Sequence, residues 1–412
     1  MKKIILLLAF VSAHLGMQAQ ELIRIWQNGE STKVALSSAG NMVYSNNGAT
    51  LTIAGVTYQT AAIDSITLVH QVAVTYSEGT ANVIVPQLVA NDITVQKDGA
   101  NVTITNNNVS NEIEFVLKGS ASNGSFTYNG SYKTTLRLNG LSLTSQKGAA
   151  LDILCGKRVA MVLEDGTTNT LADYAKGSQK ASLYCKGHLE VEGSGTLNVT
   201  GNLTHAIKTK EYLELKKGTG TINIVSAAGD AIHAGQYYKQ NGGTVNITST
   251  TQADGIQVEQ LTLDDDKTPD PDKENNGQIF IKGGTLNVEI THEDCEALKS
   301  DGDISITGGT FNIAASGNGS RGIQTDSNMV INEDDNSTNI IITATGGVCT
   351  NEADADDPHR CMGIKVDGDL TINAGTVNVK ATGKKSRSIR VGGKYNVSDN
   401  ANVTVSPAAK VG

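Results

Sequence analysis

The sequence predicts an all-β chain wound as a parallel β-helix, and three observations point there. A Gly-Thr-apolar-Asn-apolar phrase recurs, a second apolar anchor keeps the same beat, and the composition suits strands and turns. The 412 residues include 44 Gly but only 5 Pro, with 18% charged and 4% aromatic residues. Charged residues fall short of the roughly 25% of typical domains. Abundant Thr, Asn, Ser and Gly favour short strands with tight turns and exclude a largely helical protein.

The first phrase occurs at Gly195–Val199, Gly220–Ile224, Gly243–Ile247, Gly284–Val288, Gly309–Ile313 and Gly375–Val379, with a degenerate copy around Asn339–Ile342. In that copy Ile341 stands where Asn is expected. The anchors of the second phrase are Leu183, Ile207, Ile232, Ile256, Leu298, Ile323, Ile364 and Ile389, spaced 24, 25, 24, 42, 25, 41 and 25 residues apart. Both long intervals hold an acidic, proline-bearing insert, Leu263–Asn276 and Thr350–His359. Outside those two intervals the period is 24 to 25, too short for a propeller blade of about 40 to 50 residues. A third strand, such as Ile304–Ile306 or Leu370–Ile372, completes each coil. Alternation aims Leu197 and Val199 inward and Thr196 and Asn198 outward. Eight or nine coils are expected between residues 146 and 406, Leu151 anchoring the earliest, with 407–412 as a tail.

Upstream, residues 20–70 form a small β-rich segment with turns at Asn28-Gly29 and Asn47-Gly48. Residues 71–145 alternate without a clean period, and part of them is expected to cap the first coil against edge pairing. Residues 1–19 read as a secretory leader of bacterial type, with Lys2-Lys3 before an apolar stretch from Ile4 to Val11. That stretch is too short to span a bilayer, and no later run approaches 18 apolar residues. A secreted, extracellular or cell-surface protein is therefore expected. The net charge of −9, without a basic run, disfavours nucleic acid and anionic membranes as partners. No nucleophile elbow, phosphate loop or paired-His motif occurs, and the cysteine spacings match no zinc motif.

In stacked coils, chemistry is read across rows. Three residues past the anchor, Glu259, Asp301, Asp326 and Asp367 fall in one outward column; two residues before it, Asp230, Asp254 and Glu296 form another. Carboxylates about 4.8 Å apart repel, so such a stack must protonate in part, pair with lysines or bind a cation such as Ca²⁺. The same aspartates also suit turns, where the side chain bonds its own backbone. One residue past the anchor come Lys208, Lys299, Lys365 and Arg390, candidates for uronate carboxylates. Five past it, His188, Tyr212 and Tyr237 share a register. They are candidates for stacking on sugar faces, or for ordinary packing between coils. The outward Asn row is expected to form amide hydrogen bonds. Of the five cysteines, Cys295 and Cys361 lie two coils apart, about 9.6 Å by strand spacing and beyond the roughly 7 Å reach of a bridge. The expected disulfide is Cys349–Cys361, closing the acidic loop, with Cys295 free.

The run Lys186-Gly187-His188-Leu189, with Gly195–Val199 and His205-Ala206-Ile207-Lys208, resembles a bacterial carbohydrate-binding β-helix family of exported proteins. So do Asp254-Gly255-Ile256, Lys299–Asp303 and Gly363–Leu370. The resemblance covers roughly residues 75 to 395. It implies a right-handed helix of pectate-lyase shape, bound Ca²⁺, and affinity for cellulose or acidic pectic polymers. The first expectation is a non-catalytic polysaccharide-binding protein. A second is a Ca²⁺-dependent lyase on uronate polymers, with Arg390 or Lys365 as base. A third is a structural or adhesive surface protein. The single Trp (Trp26) argues against a flat aromatic strip for crystalline cellulose.

Overall fold

A computed structural model describes residues 20–28, 30–249, 251–264, 267–332, 337–349 and 359–412. The predicted leader and most of the second acidic insert lie outside the described residues, as do Asp265 and Asp266 of the first. The chain divides into two compact units, residues 1–68 and 69–412.

In the first unit, Gln20–Gln27 and Glu30–Ala35 form an antiparallel hairpin, and Val43–Ser45, Thr50–Ile53 and Val56–Gln59 an antiparallel three-stranded sheet. Ile23, Ile25, Leu51, Ile53 and Tyr58 make its small core.

The second unit is nearly all β and stacks its coils through three parallel ladders. The anchor strands pair directly from coil to coil, Leu183 with Ile207, Ile207 with Ile232, Ile232 with Ile256, and so on to Ile364 with Ile389. The Thr-x-Asn strands pair in the same fashion, Asn198 beside Asn223, Asn246, Asn287 and Asn312 in turn. Short strands such as Leu213–Leu215, Ile304–Ile306 and Leu370–Ile372 belong to the third ladder. Both acidic inserts leave this register unbroken, since Ile256 still meets Leu298 and Ile323 still meets Ile364. One apolar core runs from Val72 to Val391.

Glycine opens the Thr-x-Asn strand for a steric reason. Gly284 has φ +87°, and a Cβ there would lie 2.4 Å from the Gly243 carbonyl of the previous coil. At Gly220 a Cβ would lie 2.2 Å from the Gly195 carbonyl. The stacking distance thus writes the glycine into the repeat.

Parallel stacking begins earlier than the sequence period shows. Ala100–Asn106 and Gly124–Gly130 extend the anchor ladder upstream, and Ile113–Ala121 pairs in parallel with Thr134–Thr144. Ile93–Asp98 folds back antiparallel on Ala100–Asn106 and covers that ladder's first edge.

The expected Cys349–Cys361 bridge is not formed; all five cysteines are free thiols. Cys349 lies opposite His359 in a two-stranded antiparallel ribbon, its sulfur 3.6 Å from Glu293 Oε2. Cys361 points the other way, into a small core with Ala315, Ala344 and Ala381. Its Sγ lies 3.7 Å from Ser320 Oγ, on the coil between Cys361 and Cys295. Closing the loop would require extracting the fully buried Cys361 from that core.

Candidate functional site

The outer face of the anchor ladder carries the molecule's charged chemistry, in bands along the stack. The earliest band is basic. Lys180, Lys186 and Lys210 are exposed and Lys208 is half-buried. They line two clefts of about 550 and 540 Å³ that share Lys180. The Lys180 ammonium lies 5.3 Å from the Tyr184 ring centroid, a cation–π contact at the cleft floor. Burial pushes the Lys208 ammonium below its usual range, Glu259 and Asp230 oppose that, and Lys180 adds to it. Asp152 is the carboxylate in this lining, and burial pushes it upward, making it easier to neutralise. Of these residues only Lys208 stood out in the sequence. Lys186 and Lys210 share a row with the acid column, and Lys180 precedes its anchor in a loop.

The middle band is acidic. Asp230, Asp254 and Glu296 stack on consecutive coils, and the Asp230 and Asp254 carboxylates cap the next coil. Asp230 Oδ1 accepts the Asp254 N–H at 3.0 Å, and Asp254 Oδ1 accepts the Glu296 N–H at 2.8 Å. Lys299 stands 3.5 Å from Asp254 and 3.8 Å from Glu296, and Arg321 pairs with Glu296. Burial, with the Glu296 charge beside it, pushes the Asp254 carboxyl up to about 8. For Asp230, burial raises the carboxyl but the neighbouring His205 and His233 outweigh it and hold it well below the usual range.

In the second column, Glu259 contacts His233 Nε2 at 3.2 Å and accepts from Gln257 at 3.0 Å. Asp301 accepts the Gln260 N–H at 2.9 Å, and Asp367 pairs with Lys365 at 3.1 Å. Burial, then Glu259 and Asp326, push the Asp301 carboxyl upward, the repulsion expected of stacked acids. Calcium prefers six to eight converging oxygens. Among the described residues, His205, Asp230 and His233 are the only three His, Cys, Asp or Glu residues whose ligand atoms all lie within 4.8 Å of one another. Asp230, Asp254, Glu296, Glu259, Asp301 and Asp367 are engaged as caps and ion-pair partners.

The last band is basic again. Arg390 continues the Lys365 row, and Arg387 beside it is pushed below its usual range by burial, Arg360 and Arg390.

His188, Tyr212 and Tyr237 do share a register, but their rings face each other. Centroids are 4.4 and 4.6 Å apart with interplanar angles of 14° and 13°, and Phe280 meets Tyr237 edge-on at 85°. The faces wanted for a sugar are spent on neighbouring rings. His188 Nε2 lies 2.5 Å from Glu211, which also pairs with Lys273 at 2.7 Å, so this row is an internal brace.

On the Thr-x-Asn face, amides donate coil to coil at 2.7–2.8 Å from Asn312 through Asn287, Asn246 and Asn223 to Asn198. A shallow trough of about 450 Å³ runs along them, lined by Asn246, Asn287 and Asn312 together with Thr248, Glu289, Ile341 and Thr343.

Comparison with known proteins agrees with this architecture. No curated protein matches the chain. A solved structure, the polysaccharide lyase-like protein from C. thermocellum, in a gadolinium derivative, superposes with a TM-score of 0.52 at 20% identity. The superposition covers 64% of this chain and 97% of that one, a likeness of fold. A family model described as carbohydrate-binding domain-containing protein matches residues 98–401, which hold both the coil stack and its charged face. By that match, the chain belongs to the carbohydrate-binding domain-containing protein family.

Proposed function

We propose that the chain is a secreted, non-catalytic polysaccharide-binding protein, a right-handed parallel β-helix that takes acidic glycans on the anchor face of its early coils. The observation that carries this is the grouping of Lys180, Lys186, Lys208 and Lys210 around two adjoining clefts, on a chain whose net charge is −9. In an acidic protein a local excess of ammonium groups selects anionic ligands by complementarity. Lys186 and Lys210 stack on successive coils, so they repeat at about 4.8 Å and present a row of charges along the stack. Lys299 and Lys365, already held by acids, contribute less than the sequence suggests. The predicted leader at residues 1–19 supports export.

A glycan array probed with the full chain tests this. Binding to polygalacturonate and other uronate polymers, with weak binding to their methyl esters and to cellulose, is the expected pattern. Binding to no glycan would favour a structural or adhesive role. The lyase alternative places the base at Arg390 or Lys365. Release of unsaturated uronate, read by absorbance at alkaline pH, would replace the binding reading with that one.

A further inference from the structure

Next to the basic clefts, three side chains with metal-ligating atoms converge from two consecutive coils. Asp230 Oδ2 lies 2.9 Å from His233 Nδ1 and 3.3 Å from His205 Nδ1, and the two imidazole centroids are 4.6 Å apart. The Asp230 backbone N–H donates to His205 Nδ1 at 3.0 Å, so that nitrogen is an acceptor with its lone pair forward. The same nitrogen lies 3.3 Å from Asp230 Oδ2. His233 has carboxylate oxygens at both nitrogens, Asp230 at Nδ1 and Glu259 at Nε2. The ligand atoms of His205, Asp230 and His233 all lie within 4.8 Å of one another.

We propose that His205, Asp230 and His233 form a binding site for a divalent transition metal of the Zn²⁺, Co²⁺ or Ni²⁺ class. Two ligands each about 2.0–2.1 Å from a tetrahedral ion stand roughly 3.3 Å apart, close to the separations found here. Two imidazoles and one carboxylate suit these borderline ions and not Ca²⁺, which takes oxygens. The supporting contacts are those of a metal site. Glu259 accepts from His233 Nε2–H, which turns Nδ1 inward, and Gln257 steadies Glu259. Asp230 Oδ1 is occupied by the Asp254 N–H, leaving Oδ2 as the ligand atom. Ligation by His205 would replace its bond from the Asp230 N–H, the one contact the metal must displace. Asp230 and His233 are buried while His205 also lines the cleft of about 540 Å³, so the fourth position opens toward that cleft. Zinc motifs built on cysteine spacing miss this set because its ligands are 25 and 3 residues apart, joined by coil stacking.

Titration of the chelator-stripped full chain with Co²⁺ tests the site. One equivalent should produce the visible absorption of four-coordinate Co²⁺, which one equivalent of Zn²⁺ abolishes, and Zn²⁺ should raise Tm. His205→Gln leaves the buried pair in place, and Asp230→Asn keeps the cap on Asp254; each should weaken Co²⁺ binding at least tenfold. Circular dichroism and apo Tm report whether either variant is folded. Absence of a stoichiometric Co²⁺ band in the wild-type chain, or undiminished binding in folded His205→Gln, overturns the proposal.

Discussion

Two columns run along part of the same stack, the asparagine ladder Asn198 to Asn312 in one ladder and the acid column Glu259, Asp301, Asp326 and Asp367 in another. They obey opposite rules. An amide is both donor and acceptor, so identical neighbours about 4.8 Å apart satisfy one another, and Asn198 to Asn312 form one chain of hydrogen bonds. A carboxylate only accepts. Its identical neighbour is a repulsion, so Glu259 turns to His233, Asp301 to a backbone N–H and Asp367 to Lys365. Repetition stabilises where the side chain complements itself. Where it does not, outside partners are recruited, and chemistry collects there.

The largest effect should come from placing a carboxylate inside the amide ladder. Asn246→Asp removes the donor to Asn223 Oδ1 and sets oxygen against oxygen. An unmade bond of this kind costs about 1–3 kcal/mol, so Tm should fall, and amide hydrogen exchange should quicken in the coils around residue 246. A Tm equal to wild type would show that the ladder is decoration. The converse change should heal the one interruption. Ile341 sits between Asn312 and Asn378 in register and is 41% exposed. Ile341→Asn should join the two segments and add about 0.5–1.5 kcal/mol, the net value of a hydrogen bond, read as a rise in Tm.

A smaller gain is expected from relieving the acid column. Asp301→Asn with Asp326→Asn keeps shape and removes two adjacent charges, so stability should hold or rise by less than about 1 kcal/mol, as for exposed charge pairs. With Glu259, Asp301 and Asp367 held by His233, a backbone N–H and Lys365, any Ca²⁺-induced shift in Tm should be the same as in wild type. A Ca²⁺ response lost in the double variant would restore the column as a calcium site.

The smallest effect is one of pH. The His188 hydrogen bond, against the opposing pull of burial and with help from Lys273, lowers the Glu211 carboxyl from 4.5 to about 2. A depressed carboxyl contributes stability above its unfolded pKa and loses it as pH falls through the folded value. Acid unfolding should therefore include a Glu211 component between about pH 4.5 and about 2, absent in Glu211→Gln.

The coil register was legible because one phrase carries three constraints at once. Glycine meets the carbonyl of the coil behind it, the apolar pair fills the core, and Asn bonds to Asn. Rows were legible too, which is why Asp230, Asp254 and Glu296 were seen as a column. The histidine site was not, because His205 lies two residues before its anchor and His233 one residue after the next. Reading single rows separates what stacking brings together. A scan of adjacent rows on consecutive coils for His and Asp would have found it. Ring orientation at Tyr212 and Tyr237 depends on side-chain torsions that register does not fix. The Cys349–Cys361 pairing failed for the same reason, since proximity in sequence says nothing of which side of a strand a sulfur faces.

The central claim is that early-coil lysines, and not the acid columns or the ring stack, hold the polysaccharide. Isothermal titration of polygalacturonate oligomers into wild type and into Lys180→Gln with Lys208→Gln tests it most directly. Each lost charge-assisted contact of about 1.4 kcal/mol is a tenfold change, so the double variant should bind at least tenfold more weakly, and added salt should weaken wild type more than the variant. Equal affinity and equal salt dependence in the two proteins would contradict the account.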